Sequence, residues 1–180
     1  MDRNTEKRLM AYIGMSVRDL LIAAAISVTA STLMGFWNAR HQASVFASIL
    51  AALLTALILL AISGVMFHRR RAQANALHLQ FHSQGVWELV VKDFARAVPV
   101  ARDWARIGER FVFANTLITD LQDVRCLVTD TSPEEEPRLM ALDMGGKPVT
   151  LCFLPRRGTD AARREIVAEL RRRCPRLSDS

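Results

Sequence analysis

Cysteine and histidine are the residue types in this chain that most often carry nucleophilic or metal chemistry, so their placement is informative. The chain contains three cysteines and four histidines, at Cys126, Cys152, Cys174, His41, His68, His78 and His82. All four histidines precede the cysteine-containing segment, so a thiol nucleophile there would lack a neighbouring base in the sequence. The cysteines form neither a CxxC pair nor an even set, which favours buried, unpaired thiols in a reducing compartment.

A metal site and a phosphate site are also disfavoured by spacing. His78 and His82 are four residues apart and would face the same direction on a helix, as two ligands of one metal ion do. No third ligand accompanies them at a metal-binding spacing, so we expect surface or interfacial histidines and neither a metal nor a cofactor. The run Gly145-Gly146-Lys147 lacks the glycine loop and the following Ser or Thr of a P-loop, and it predicts a turn.

Four carboxylates, at Glu109, Asp120, Asp123 and Asp143, are the remaining candidates for acid–base chemistry. If they converge in one pocket, a hydrolase or a transferase is the expected class. The sequence offers no matched acid, base and nucleophile. We therefore predict a non-enzymatic protein without catalytic residues, and the enzyme stays as an alternative.

Two charged clusters are stronger candidates for binding a protein partner. The acidic knob consists of Glu134, Glu135 and Glu136, and the basic helix carries Arg163, Arg164 and Arg171. Exposed charges contribute little to stability but strongly affect partner choice, and ordinary solvated surface is the alternative interpretation. The basic residues are not interleaved with aromatic residues and match no recognition motif, so nucleic-acid binding is not expected.

Two uncharged apolar stretches, residues 20–37 and 43–67, predict the elements that must position these groups. As a helix, each is long enough to cross a hydrocarbon core of about 30 Å, and the short segment between them predicts a tight transmembrane hairpin. Lys and Arg flank the outer ends of the hairpin, whereas its turn carries only Arg40, so both termini are expected to be cytoplasmic. No small-x-small cleavage site follows the first stretch, which argues against a signal peptide.

Membrane lipids are therefore an expected partner. Arg69, Arg70 and Arg71 directly follow the second stretch and should lie at the anionic membrane surface. Small residues recur at every fourth position in both stretches, which predicts close packing of the two helices with interhelical hydroxyl hydrogen bonds or, alternatively, a homo-oligomer. Neither stretch contains Asp, Glu, Lys or Arg, which argues against a transporter or a channel.

The rest of the chain predicts one small cytoplasmic α+β domain. We divide the sequence into an N-terminal segment 1–19, the hairpin 20–67, a helical stalk 68–83, a domain 84–175 and a tail 176–180. The fragment from residue 84 onwards is expected to fold alone, with Trp87 and Phe111 in its core.

Periodicity predicts the elements of this domain. Helical spacing predicts helices over 84–98 and 100–107, and the glycine pair at 145–146 predicts a hairpin within a meander of four antiparallel strands. A last amphipathic helix is predicted over 161–173. The expected fold class is α+β, with an N-terminal two-helix transmembrane hairpin, a four-stranded antiparallel meander and a C-terminal helix.

Three features of the segment 108–173 support a comparison with a known family: the run Gly108-Glu109-Arg110-Phe111-Val112-Phe113, the run Asp120-Leu121-Gln122-Asp123-Val124, and the Gly-Gly hairpin with its following helix. Together they resemble the second half of bacterial membrane-tethered PH-like domains, in which a final helix plugs a curved sheet. The helix predicted before Gly108 departs from that family, which has strands there. The resemblance implies a binding or scaffolding module rather than a catalyst.

The composition, with 51% hydrophobic residues, a net charge of +6 and many Arg and Ala residues, fits an integral protein of the bacterial inner membrane. We expect the cytoplasmic domain to bind another protein in a membrane complex. Accessory and entry-exclusion proteins of conjugation and secretion systems are similar in size and topology. A lipid- or ligand-sensing domain is a further alternative.

Overall fold

The computed structural model describes residues 2–14, 17–40, 44–114, 116–128 and 137–179. It divides the chain into two compact units. One unit combines Met1–Ile13 with Ala74–Ser180, and the other is Gly14–Gln73. The sequence predicts a domain that begins at residue 84. The α+β unit in the structure also includes the N-terminal helix and the end of the predicted stalk.

The unit Gly14–Gln73 contains the two apolar stretches that the sequence predicts as helices. Helix α2 is Val17–Arg40, and helix α3 is Val45–Ser83 and continues through the predicted stalk. Both helices are long and apolar enough to cross a membrane. Large apolar side chains such as Phe36 and Phe46 are more than three-quarters exposed in the protein alone, as expected of surfaces that face lipid.

Small residues let α2 and α3 approach closely, as the four-residue spacing predicts. Ser27, Ser31 and Ser48 are buried, and a Cβ added at Gly35 would lie 3.0 Å from the Cβ of Ala52. The hydroxyls of Ser27, Ser31 and Ser48 donate to carbonyl oxygens four residues earlier in the chain. The Ser31 hydroxyl, for example, donates to the carbonyl of Ser27 at 2.7 Å, because that oxygen lies one turn back on the same helix.

The α+β unit contains three further helices and two four-stranded sheets. Helix α1 is Arg3–Ile13, α4 is Trp87–Arg96 and α5 is Thr159–Arg173. Sheet A is antiparallel in the order β1-β2-β3-β4, with strands Val98–Val100, Ala105–Ile107, Phe111–Ala114 and Leu117–Asp120. Sheet B has the order β7-β6-β5-β8, with strands Pro148–Phe153, Arg138–Asp143, Val124–Val128 and Ser178–Asp179. A 3₁₀ turn, Leu121–Asp123, links the two sheets.

The four predicted strands correspond to β3, β5, β6 and β7, and the predicted glycine hairpin joins β6 to β7. The helix predicted over 100–107 is wrong, because this segment forms the β1–β2 hairpin. Its apolar residues alternate in burial along two short strands, and the turn places Ala101, Arg102 and Asp103 at positive φ. Asp103 stabilises this uncommon turn through an ion pair with Arg106 at 2.7 Å.

Strand β3 is buried on both faces and lies between two cores. Val112 and Ala114 belong to the α5 core, which sheet B and helix α5 complete with Leu127, Leu151, Ile166 and Leu170. Phe111 and Phe113 point the other way, as successive strand residues do. The last helix is predicted to face inward at Ala162, Ile166, Val167 and Leu170; three of these residues are buried and Val167 is half-buried.

The second core, the α1 core, contains Leu9, Ile13, Phe81, Trp87, Val90, Phe94, Phe111 and Phe113. Trp87 and Phe111 are buried, as the sequence predicts. Leu9 and Ile13 are fully buried, so α1 is a layer of the domain. Leu9 and Ile13 lie four residues apart on one face of α1 and pack with the buried residues of α4. Phe111 and Phe113 of sheet A lie in the same core.

A buried carboxylate joins α4 to β3. Asp93 is 7% exposed and accepts three backbone hydrogen bonds, from the N–H groups of Glu109 at 2.8 Å, Arg110 at 3.1 Å and Phe111 at 2.8 Å. The chain passes so close to this carboxylate that a Cβ at Gly108 would lie 2.0 Å from its Oδ2 atom. The residue at 108 must therefore be glycine for the loop to wrap Asp93.

Candidate functional site

The predicted basic helix forms an exposed surface on α5. One side of α5 is anchored in the α5 core, and the opposite side carries Arg164 and Arg171 in exposed positions, whereas Arg163 is half-buried. Arg157 precedes the helix by two residues and is also exposed. Arg157, Arg164 and Arg171 are seven residues apart in turn, a spacing of nearly two full helical turns that keeps Arg164 and Arg171 on one face.

The C-terminal end of this basic surface is held in place by Glu169. Its carboxylate accepts hydrogen bonds from Arg172 at 2.7 and 2.8 Å and from Arg173 at 2.7 Å. The hydrogen bond from Arg172 is the main cause that lowers the pKa of Glu169 to about 2, and the hydrogen bond from Arg173 contributes to the same shift. Basic side chains in the last turn also complement the negative end of the helix dipole. The acidic knob, Glu134 to Glu136, lies outside the described residues.

The four carboxylates of the enzyme alternative are placed in local structure. Asp120 receives two hydrogen bonds from Arg110, at 2.6 and 2.8 Å, and also caps the 3₁₀ turn. Asp143 accepts from the backbone N–H groups of Gly145 and Lys147, both at 2.8 Å, and so shapes the β6–β7 turn. Within the part of the chain that the structure describes, no hydrogen bond links Glu109 or Asp123 side chains to these two groups. The geometry assigns Asp120 and Asp143 to turns.

The three cysteines are buried and unpaired in the α+β unit. Burial raises the pKa of Cys152 to about 12, and burial likewise raises the pKa of Cys174. Because a thiolate is the reactive form, these two groups are poor nucleophiles. This agrees with the buried thiols that their sequence spacing favours.

The predicted membrane-surface cluster lies on α3, in the unit Gly14–Gln73. Arg69, Arg70 and Arg71 are all exposed, and the guanidinium of Arg71 lies 6.0 Å from the ring centre of Phe67. Consecutive helical residues point in three directions around the axis, about 100° apart. The cluster therefore spreads positive charge around this part of the helix.

A groove between α1, the end of α3 and α4 is a candidate site that the sequence analysis did not identify. The Nε1 atom of Trp87 donates to Glu6 at 3.1 Å, and the Nε2 atom of His78 lies 3.9 Å from the same carboxylate. The ring of His78 meets that of Trp87 edge to face at 4.6 Å, and His82 lies one turn further along α3. Glu6 and His78 are thereby fixed in a partly exposed position.

Two adjoining cavities form this groove. The first, of about 490 Å³, is lined by Arg3, Glu6, Lys7, Met10, Asn75 and His78. The second, of about 410 Å³, is lined by Glu6, His78, His82, Gly85, Trp87 and Glu88. The shared residues Glu6 and His78 separate a cationic end from an anionic end. We call this feature the α1 groove.

The i, i+4 spacing of His78 and His82 places both rings near this groove, with ring centres 5.7 Å apart. Within the described residues, no group of three or more His, Cys, Asp or Glu side chains is placed to hold a metal ion. The signal that could have revealed the groove is the pair Leu9 and Ile13. Their i, i+4 spacing on a short charged helix indicates a face that packs on another part of the protein.

Known proteins provide no further guide to these surfaces. Comparisons with protein-family models, curated proteins and solved structures found no match for this chain.

Proposed function

We propose that this chain is a non-enzymatic, membrane-anchored interaction protein of the bacterial inner membrane, whose α+β unit binds another protein on the cytoplasmic side. The observation that carries this proposal is the exposed basic surface of α5. Arg164 and Arg171 project from a helix whose other side is fixed in the α5 core. A rigid element presenting like charges favours fast, selective association with an acidic partner surface.

The composition of the α+β unit supports the proposed topology. Helix α1 precedes the two candidate spans, whereas Trp87 and Phe111 follow them. Residues from both parts of the chain nevertheless pack in the α1 core. Chain segments that share one core must be on the same side of a membrane, so the hairpin crosses it twice. The cytoplasmic side follows from Arg69, Arg70 and Arg71 at one end, set against Arg40 near the turn.

Reporter fusions test this topology. Fusions at Asn4 and at Ser180 should both give a cytoplasmic signal. A periplasmic signal from either position would contradict the proposed orientation, and opposite signals from the two would also contradict the shared core.

The architecture of the unit supports the PH-like interpretation of the binding module. Sheet A supplies four antiparallel strands, sheet B supplies the antiparallel strands β5, β6 and β7 beside the short parallel strand β8, and α5 packs between the sheets through Ile166 and Leu170. Before Gly108, where this family has strands, the chain forms helix α4 and then the two short strands of the β1–β2 hairpin.

Charge reversal on α5 tests partner binding. The double variant Arg164→Glu and Arg171→Glu should lose its crosslinked partners in native membranes while keeping its fold, because exposed charges contribute little to stability. Arg125→Glu, which reverses an exposed arginine on β5, is the matched control.

Reversal of Glu134, Glu135 and Glu136 to Lys tests the acidic knob in the same assay. Retention of all partners by both reversals would refute the proposal, and an indispensable Asp120, Asp123 or Asp143 in a well-folded variant would favour an enzyme.

A further inference from the structure

We propose that the α1 groove binds the headgroup of a zwitterionic phospholipid with a primary amine, phosphatidylethanolamine. The proposal rests on the membrane attachment in the proposed function but not on the α5 surface. Its basis is the order of charges along the groove: Arg3 and Lys7 at one end, Glu88 at the other, and Glu6 with His78 between them.

The cationic end suits a phosphodiester. Arg3 and Lys7 are one turn apart on α1 and both exposed, so their side chains can reach a common oxyanion. Asn75 lines the same cavity and adds amide N–H donors. Charge-assisted hydrogen bonds of this kind are the usual means of holding phosphate oxygens.

The anionic end suits an ammonium group. Glu88 is exposed at the start of α4, and Glu6 is held toward the cavity by the indole of Trp87. An ammonium has three N–H donors and can bond both carboxylates, whereas the quaternary ammonium of a choline headgroup has none. A glycerol headgroup carries no cation to place there.

Chain connectivity favours a lipid over a free metabolite. Helix α1 ends at Ile13, four residues before α2 begins at Val17. Asn75 follows the predicted end of the second span, residue 67, by eight residues of the same helix. Two of the three elements that line the groove, α1 and the end of α3, are thus connected by short stretches of chain to segments long enough to span a membrane. Lipid headgroups are concentrated there.

Native mass spectrometry of the full chain tests the proposal. The protein, purified in a non-ionic detergent, is mixed with equal amounts of phosphatidylethanolamine, phosphatidylcholine and phosphatidylglycerol, and lipid retention is measured. We expect the ethanolamine lipid to be retained about tenfold better than the other two, the effect of one charge-assisted bond. Glu88→Gln should remove this preference, and Lys7→Gln should weaken retention of all three lipids. Arg8→Gln, on an exposed α1 residue outside the groove lining, should change neither.

Several outcomes would overturn the proposal. Equal retention of the three lipids would do so, as would an ethanolamine preference that persists in Glu88→Gln and in Glu6→Gln. Displacement of the lipid by equimolar glycerophosphoethanolamine would show that the groove takes a soluble ligand instead. Near-ultraviolet circular dichroism of each variant confirms that it is folded. None of these results changes the α5 partner test, so the two proposals can fail separately.

Discussion

The close approach of Gly108 to Asp93 gives a quantitative prediction about stability. A methyl group at residue 108 would lie 2.0 Å from Oδ2, 2.5 Å from Cγ and 2.8 Å from Oδ1 of Asp93. These atoms cannot stay in place, and the carboxylate is buried, so Gly108→Ala must move it away from the three N–H groups that it binds. Hydrogen bonds to a charged group contribute about 1.5–3 kcal/mol each, and partial relaxation retains some of them. We expect a loss of about 3–5 kcal/mol in the free energy of unfolding.

A double-mutant cycle identifies the cause of this loss. Asp93→Ala removes all three hydrogen bonds and should cost about 3–5 kcal/mol by itself. It also removes the atoms that the new methyl group would strike. Adding Gly108→Ala to Asp93→Ala should therefore cost little more, which gives a coupling energy of about 3 kcal/mol.

Chemical denaturation of the full chain in detergent micelles, followed by near-ultraviolet circular dichroism, measures these energies. Gly145→Ala is the matched control, because its Cβ would lie 3.3 Å from the Asp143 carboxylate, a distance that a small shift relieves. Its cost should stay below about 1 kcal/mol. If Gly108→Ala costs as much without the Asp93 carboxylate as with it, the steric reasoning is refuted.

Further predictions concern the α+β unit. Leu9→Ala should lower the free energy of unfolding by about 2–5 kcal/mol, because it removes buried apolar surface. Contrary to the expectation from the sequence, a fragment of residues 84–180 should fail to fold, because it lacks the buried residues of α1 and the end of α3; a cooperative melt of that fragment would contradict the α1 core. Because hydrogen bonds from arginine lower the pKa of Glu169 from 4.5 to about 2, their stabilisation is complete above pH 4.5 and is lost as the pH falls through 2. Glu169→Gln should therefore reduce the fall in Tm over that range, and an unchanged profile would count against the ion pair. Cys152, with its pKa raised to about 12, should react with maleimide at neutral pH only after unfolding, so rapid labelling of the native protein would show that the thiol is accessible.

The parts of the fold that the sequence predicts well are those with long, regular patterns. The two apolar stretches and the last helix each repeat one pattern over several turns, and α2, α3 and α5 follow them. Helical spacing wrongly predicts helix in the segment 98–107. Its strands have only three residues each, which is too few to show the two-residue period of a strand. Positive φ at Ala101, Arg102 and Asp103 has no signature in the sequence, since glycine normally occupies such positions.

The two candidate sites also differ in how well the sequence predicts them. The basic surface of α5 is visible in the sequence because Arg164 and Arg171 lie on one helix, so their spacing alone predicts a shared face. The α1 groove combines α1, α3 and α4 with residues as far apart as Glu6 and Glu88. The packing of Leu9 and Ile13 helps to bring these segments together, and a single sequence does not reveal which surface those residues cover.

The residues of the α1 core are synthesised at widely separated times. Helix α1 is made first, but its packing partners extend to Ile118, which a ribosome adds on the order of ten seconds later. In the proposed topology, the hairpin must insert during that interval with both ends on one side, or the bilayer separates α1 from its partners. A wrongly inserted chain would leave Phe81, Phe94 and Phe113 uncovered, and exposed apolar surface of this kind is what chaperones and proteases remove. In the proposed topology, completion of the α1 core therefore depends on correct insertion of the hairpin.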